Sequence, residues 1–131
     1  MVFCGLASCD TGSEEGSASQ GSPAEVVKRV GDAAEAAEQG YAEAQGSLGI
    51  CYYTGEGVEQ DYAQAVHWYR KAAEQGFAPS QGLLADCYAK GEGVTQDYAQ
   101  AAYWHGKAAD QGDAISQGML GAYYYFGIGV A

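Results

Sequence analysis

Positive charge is scarce in this chain: 6 Lys and Arg stand against 17 Asp and Glu in 131 residues, a formal charge of −11. A chain so short of cations lacks the basic patch that phosphate contacts need, so nucleic acid is not an expected partner. Long apolar runs are missing too, and none approaches the roughly 18 residues of a membrane-spanning helix. The 4 Cys are too few and too scattered for a disulfide-dense mini-protein. The length allows one modest domain rather than two. What the chain does have is glycine: 20 residues, against only 2 Pro, when average glycine usage is about 7%. Such density ordinarily marks a linker or disorder. Yet 47% of the residues are hydrophobic and 11 Tyr, 3 Phe and 2 Trp supply material for a small core.

An internal repeat reconciles the two. Sliding the chain by 36 residues aligns 40–75 with 76–111, and 22 of the 36 positions are identical. AAEQG at 36–40 and 72–76 becomes AADQG at 108–112. GEGV at 55–58 and 91–94 becomes GIGV at 127–130, and DYAQA stands at 61–65 and 97–101. The units are therefore 40–75, 76–111 and an incomplete 112–131, preceded by a degenerate unit at 23–39.

Each unit reads as two helices. Ala44, Leu48, Cys51 and Tyr52 fall on one helical stripe. Gly55 and Gly57 follow, where a chain leaving a helix adopts left-handed or open backbone angles. Asp61 is an N-cap for the second helix, with Gln64 in the capping-box position. Ala65, Trp68, Ala72 and Ala73 form the buried face of that helix, and Gly76 closes it. Upstream, Ser22-Pro23-Ala24-Glu25 opens a helix running to Gln39. No segment alternates like a strand. The expected fold is all-α, stacked helix–turn–helix units.

The pattern carried by Ala44, Gln45, Leu48, Gly49, Tyr52, Gly55, Gly57 and Val58, then Asp61, Ala65, Trp68, Lys71, Ala72, Ala73, Gln75 and Gly76, resembles the Sel-like repeat (SLR) family, relatives of tetratricopeptide repeats. Ser80 and Ala85 replace Ala44 and Gly49 in the second unit, small residues for small. The resemblance implies an α/α superhelical solenoid. It further implies an adaptor or scaffold that binds a protein or peptide in its concave groove. Some relatives carry a disulfide within each unit; one Cys per unit here does not carry that feature over.

Solenoid units bury their apolar faces only against neighbours, and about three are needed for stability. A last helix bearing Tyr123, Tyr124, Tyr125 and Phe126 should expose apolar surface, so further repeats are expected beyond the C-terminus.

Ahead of the repeats, residues 10–22 read as a flexible acidic Gly/Ser tether. Residues 1–9 end in Leu6-Ala7-Ser8-Cys9, which resembles a bacterial lipobox with Cys9 as the lipidated residue. Met1 to Leu6 carry no basic residue and no full apolar stretch, so the lipobox reading expects a truncated signal segment. The alternative is a disordered cytoplasmic or secreted N-terminus. The lipobox places the protein on the periplasmic side of a bacterial envelope, touching membrane only through its lipid.

Candidates for chemistry are few. Cys51 and Cys87 share a repeat position, and equivalent helices lie about 8–10 Å apart or more, whereas a disulfide needs Cα atoms within about 4.4–6.8 Å. Buried free thiols are the reading. His67 and His105 stand where the other unit has Tyr103 and Tyr69, and are expected as surface or groove-lining aromatics without the further ligands a metal needs. GEGV lacks the third glycine of a dinucleotide fingerprint. No catalytic residue and no cofactor is expected.

A candidate partner face emerges from comparing the units. Positions 43, 47, 50 and 54 share a helical face, and they and their counterparts differ in all three units. Residues demanded by stacking should repeat, so this stripe is free for recognition. Ser47, Ile50, Leu83, Asp86, Lys90 and Met119 are its candidate groove residues. The competing reading is an unconstrained solvated face, just as the acidic surface is by default a solvated one. Two functions remain: a lipid-anchored envelope scaffold without enzymatic activity, or a binder or hydrolase of a small cell-wall-derived compound, a role claimed for cysteine-bearing relatives.

Overall fold

The computed structural model describes residues 22–130, and six α-helices run through them: α1 Pro23–Glu38, α2 Ala42–Thr54, α3 Tyr62–Glu74, α4 Ala78–Lys90, α5 Tyr98–Asp110 and α6 Ala114–Phe126. No strand occurs among the described residues. Each helix packs chiefly on its neighbours in sequence, the one-dimensional arrangement of a solenoid. The lipobox and the tether up to Gly21 lie outside the described residues.

Local chemistry sets the helix ends. Ser22 Oγ accepts the Glu25 N–H at 3.2 Å while the Glu25 carboxylate accepts the Ser22 N–H at 3.0 Å, a full capping box. Asp61 accepts the Gln64 N–H, which is the forward half of the box expected there. Gly55, Gly91 and Gly127 close α2, α4 and α6 in the left-handed region, as the sequence predicts. The second glycine of each turn has a separate task. A Cβ on Gly93 or Gly129 would run into the Tyr62 or Tyr98 carbonyl, so glycine there lets one unit's turn lie against the second helix of the unit before.

Alanines let α3 and α5 seat closely. Ala65, Val66, Tyr69, Ala73, Leu84, Ala85, Cys87, Ala101 and Trp104 form one buried cluster, and Val30, Ala37 and Leu48 a smaller one under α1. Trp68 is only half-buried, unlike its counterpart Trp104. The first-helix stripe is likewise less uniform than its spacing suggests: Leu48 is buried, Ala44, Cys51 and Tyr52 are half-buried, and Gln45, Gly46 and Gly49 are buried instead. Cys51 and Cys87 are free thiols, the second fully buried. At the far end Tyr123 is buried, whereas Tyr124, Tyr125 and Phe126 lie open to solvent.

Buried amides tie the units together. Gln45 donates to the Ala37 carbonyl at 3.1 Å and accepts from Gln75 at 2.8 Å; Gln75 also donates to the Gly40 carbonyl at 2.9 Å. One unit on, Gln81, Gln111, Ala73 and Gly76 repeat the arrangement. The Ala37 and Ala73 carbonyls also accept the Gly40 and Gly76 N–H at 3.0 and 2.9 Å; the glutamines add a side-chain donor to each and bridge two units.

Candidate functional site

The recognition stripe lies on α2, α4 and α6. Ser47 and Lys90 are exposed and Ile50 is 44% exposed, but Leu83, Asp86 and Met119 are half-buried. Leu83 and Met119 pack against the larger core cluster, so these two serve packing as well as surface. The structure does not gather all six candidates. Ser47 faces an open crevice of about 330 Å³ between α1 and α2, with Val26, Val30, Ala33, Arg29, Cys51 and Glu56. Leu83 and Asp86 face another of about 260 Å³ between α4 and α6.

That second crevice contains what the sequence reading missed. His105, expected as a surface or groove-lining aromatic, is not at the surface: it is 1% exposed and its ring lines the crevice. Its counterpart Tyr69 is equally buried. The cause is helix phase: both positions lie one residue beyond the tryptophan, on the side of α3 or α5 that meets the first helices. His67, one residue before Trp68, is exposed as expected.

His105 Nδ1 lies 3.3 Å from Ser116 Oγ. Asp113, the N-cap of α6, accepts the Ser116 N–H at 2.9 Å. The Ser116 hydroxyl and then this N–H hold the Asp113 carboxyl below its ordinary value. On the other side of the ring, Nε2 stands 3.3 Å from Asp86 Oδ1 without the alignment of a hydrogen bond, and has no hydrogen-bond partner. Pro79, Gly82, Leu83 and Ile115 complete the walls.

An Asp–His–Ser sequence invites a catalytic reading, but the geometry opposes it. Ser116 is itself 1% exposed. A nucleophile needs its proton aimed at the base and its oxygen open to substrate.

The signal for this crevice was present but scattered. At the preceding boundary the equivalents of Asp86, His105 and Asp113 are Ile50, Tyr69 and Phe77. Three exchanges, Ile for Asp, Tyr for His and Phe for Asp, converge on one crevice. Position 49 changes with them. A Cβ on Gly49 would meet the Tyr69 ring at 2.6 Å, whereas the smaller His105 ring accompanies Ala85.

Comparisons place this architecture. The Sel1 repeat model matches residues 42–77, 78–113 and 114–131. Among solved structures, a protective antigen of uropathogenic Escherichia coli with an SLR fold is 43% identical with a TM-score of 0.78, covering 79% of this chain and 22% of its own. A Sel1 repeat protein from Oxalobacter formigenes is 38% identical at TM-score 0.73, covering 76% of this chain and 41% of its own. Cysteine-rich protein B of Helicobacter pylori shares the fold at 24% identity and TM-score 0.68, covering 78% and 74%. The chain thus spans well under two thirds of the first two structures. A search of curated proteins found no match. Repeat period, helix pairing, turn glycines and these matches agree: the chain belongs to the Sel1-repeat (SLR) family of α/α repeat proteins.

Proposed function

We propose that this chain is part of a non-enzymatic scaffold that holds a protein or peptide partner in the concave groove lined by α2, α4 and α6. One observation carries the reading: positions that stack repeat from unit to unit, while the stripe changes in every unit and leaves Ile50 and Ile115 exposed at 44% and 77%. The Sel1 repeat is itself a protein-interaction architecture, and the burial of Ser116 favours binding over hydrolysis. The test is capture of envelope proteins by immobilised wild-type chain and by Ile50→Glu/Ile115→Glu. The double variant should retain its fold and lose partners that the wild type holds; an unchanged set of captured proteins would contradict the stripe.

The same proposal places the scaffold on the periplasmic side of a bacterial envelope, anchored through a lipid on Cys9. Its support is the Leu6-Ala7-Ser8-Cys9 sequence followed by the acidic Gly/Ser tether. Metabolic labelling with an alkynyl fatty acid, using the gene in its native host, should mark the protein and fail on Cys9→Ser. Equal labelling of both would remove the anchor.

A further inference from the structure

Arg70 and Tyr88 make a contact that the next unit lacks. The Arg70 guanidinium lies over the Tyr88 ring, 5.8 Å from its centroid, and donates to the Tyr88 hydroxyl at 2.5 Å. Both residues are half-buried. One repeat of 36 residues on, Tyr124 keeps the tyrosine but Gly106 replaces the arginine. At the first boundary the same place belongs to Ala34, which packs with Tyr52 against Val30, Ala37 and Leu48.

Neither backbone nor packing asks for glycine at 106. It lies inside α5, where glycine is disfavoured against alanine. Its φ is not positive, and a Cβ there would meet only Leu120 Cδ2, at 4.0 Å. What the missing side chain leaves is a crevice of about 470 Å³ between α5 and α6, with Tyr103, Lys107, Asp110, Leu120, Tyr124 and Val130 on its walls. Lys107 and Asp110 stand where the preceding unit has Lys71 and Glu74, so the acid and the base beside the crevice match those beside Arg70. Lys107 is turned to the Tyr103 ring, 5.3 Å from its centroid, and neither α6 nor the turn 127–130 carries a basic residue. Tyr124 is left 63% exposed.

We propose that this crevice binds a small guanidinium compound, which takes the place that Arg70 fills one unit earlier. Its plane lies on the Tyr124 ring, and its N–H donors face the Tyr124 hydroxyl and the Asp110 carboxylate. A guanidinium stacks on an aromatic face and is more weakly hydrated than an ammonium, so it is favoured over a point cation. The net charge of −11 draws cations to the chain. The volume of about 470 Å³ lies within the roughly 300–1,000 Å³ of small-molecule sites. The site is separate from the stripe that the scaffold reading uses and does not depend on it.

The experiment is a titration of the isotope-labelled full chain with N-butylguanidinium, beside n-butylammonium and n-butanol. The amides at positions 102, 107, 120 and 124 report the crevice; those at 41 and 125, at exposed tyrosines outside it, report indiscriminate stacking. Saturable shifts in the first set are expected for the guanidinium, with a Kd at or below about 10 mM. Binding of n-butylammonium should be at least about threefold weaker, and n-butanol should give no saturable shift. Gly106→Arg fills the crevice from within and should abolish the saturable shifts while raising the urea midpoint, which an unfolded variant could not do. Tyr124→Leu, at an exposed position, should weaken binding at least about threefold, and Tyr125→Leu should bind as wild type. A Gly-Arg-Gly tripeptide should bind no tighter than N-butylguanidinium; binding about tenfold tighter would assign the crevice to an arginine of a protein and overturn the small-molecule reading. Non-saturating shifts, equal shifts at 41 and 125, or undiminished binding in Gly106→Arg or Tyr124→Leu would overturn the proposal as well.

Discussion

Gln111 and Gln81 meet amide to amide across the boundary between two repeats, the Nε2 of the first 2.9 Å from the Oε1 of the second. Gln111 also donates to the Gly76 carbonyl at 2.8 Å, and Gln81 to the buried Ala73 carbonyl at 3.1 Å. The pair therefore links the end of α3, the start of α4 and the end of α5. Replacing Gln81 with Ala removes the side-chain donor from the Ala73 carbonyl, which keeps the Gly76 N–H at 2.9 Å, and should cost about 0.5–1.5 kcal/mol. Gln111→Ala, at an exposed site, should cost less, and the double variant less than the sum of the two. Urea denaturation of the four proteins measures this; strict additivity would show that the amides act independently.

Gly49 and Tyr69 offer a test of why the two units differ. Gly49→Ala places a methyl against the ring and should destabilise by about 1–3 kcal/mol. Adding Tyr69→His reproduces the Ala85–His105 pair of the next unit and should recover more than half of the loss. Thermal or urea unfolding checks both, and a double variant no better than Gly49→Ala would deny the compensation.

Left-handed glycines are not equal. A Cβ on Gly112 meets nothing within 4 Å, so Gly112→Ala should cost only the backbone term of about 1–2 kcal/mol. At Gly93, with φ +77°, the methyl would also strike the Tyr62 carbonyl. Gly93→Ala should therefore cost about 2–4 kcal/mol. Equal losses at the two positions would mean that the turn does not rest on α3.

The sequence made the fold legible because it states the fold more than once. Repetition exposed the period, the turn glycines and the caps before any geometry was known. It also concealed the crevice. Asp86 read as one variable position of a stripe, and His105 as a surface or groove-lining aromatic exchanged with Tyr69. Only the phase of α5 against α4 and α6 brings Asp86, His105 and Ser116 together, and that phase is a tertiary property. Gln45 and Gln75 were recognised as part of the repeat pattern, but they meet each other across 30 residues and Gln75 reaches Gly40 across 35. Leu83 and Met119 were read as free because they vary; they vary while still packing on the core.

Alkaline pH should weaken the fold. Burial, then the Glu92 and Asp86 carboxylates, push the Cys87 thiol from 9.0 up to about 12. A raised folded value means that the folded state holds the proton more tightly. Its contribution is complete below about pH 9 and is lost as pH rises toward 12. Burial raises Tyr69 as well. Urea midpoints should fall steadily above pH 9, and Cys87→Ala should flatten part of that decline; an identical slope in the variant would remove Cys87 from the cause.

The central claim is that the variable stripe, rather than the second helices, meets a partner. Photo-crosslinking amino acids placed singly at positions 50 and 115, and at the exposed second-helix positions 67 and 103, test it in the native host. The account predicts a shared higher-mass adduct from 50 and 115 and none from 67 or 103. Adducts only from 67 and 103, or equally from all four, would contradict it.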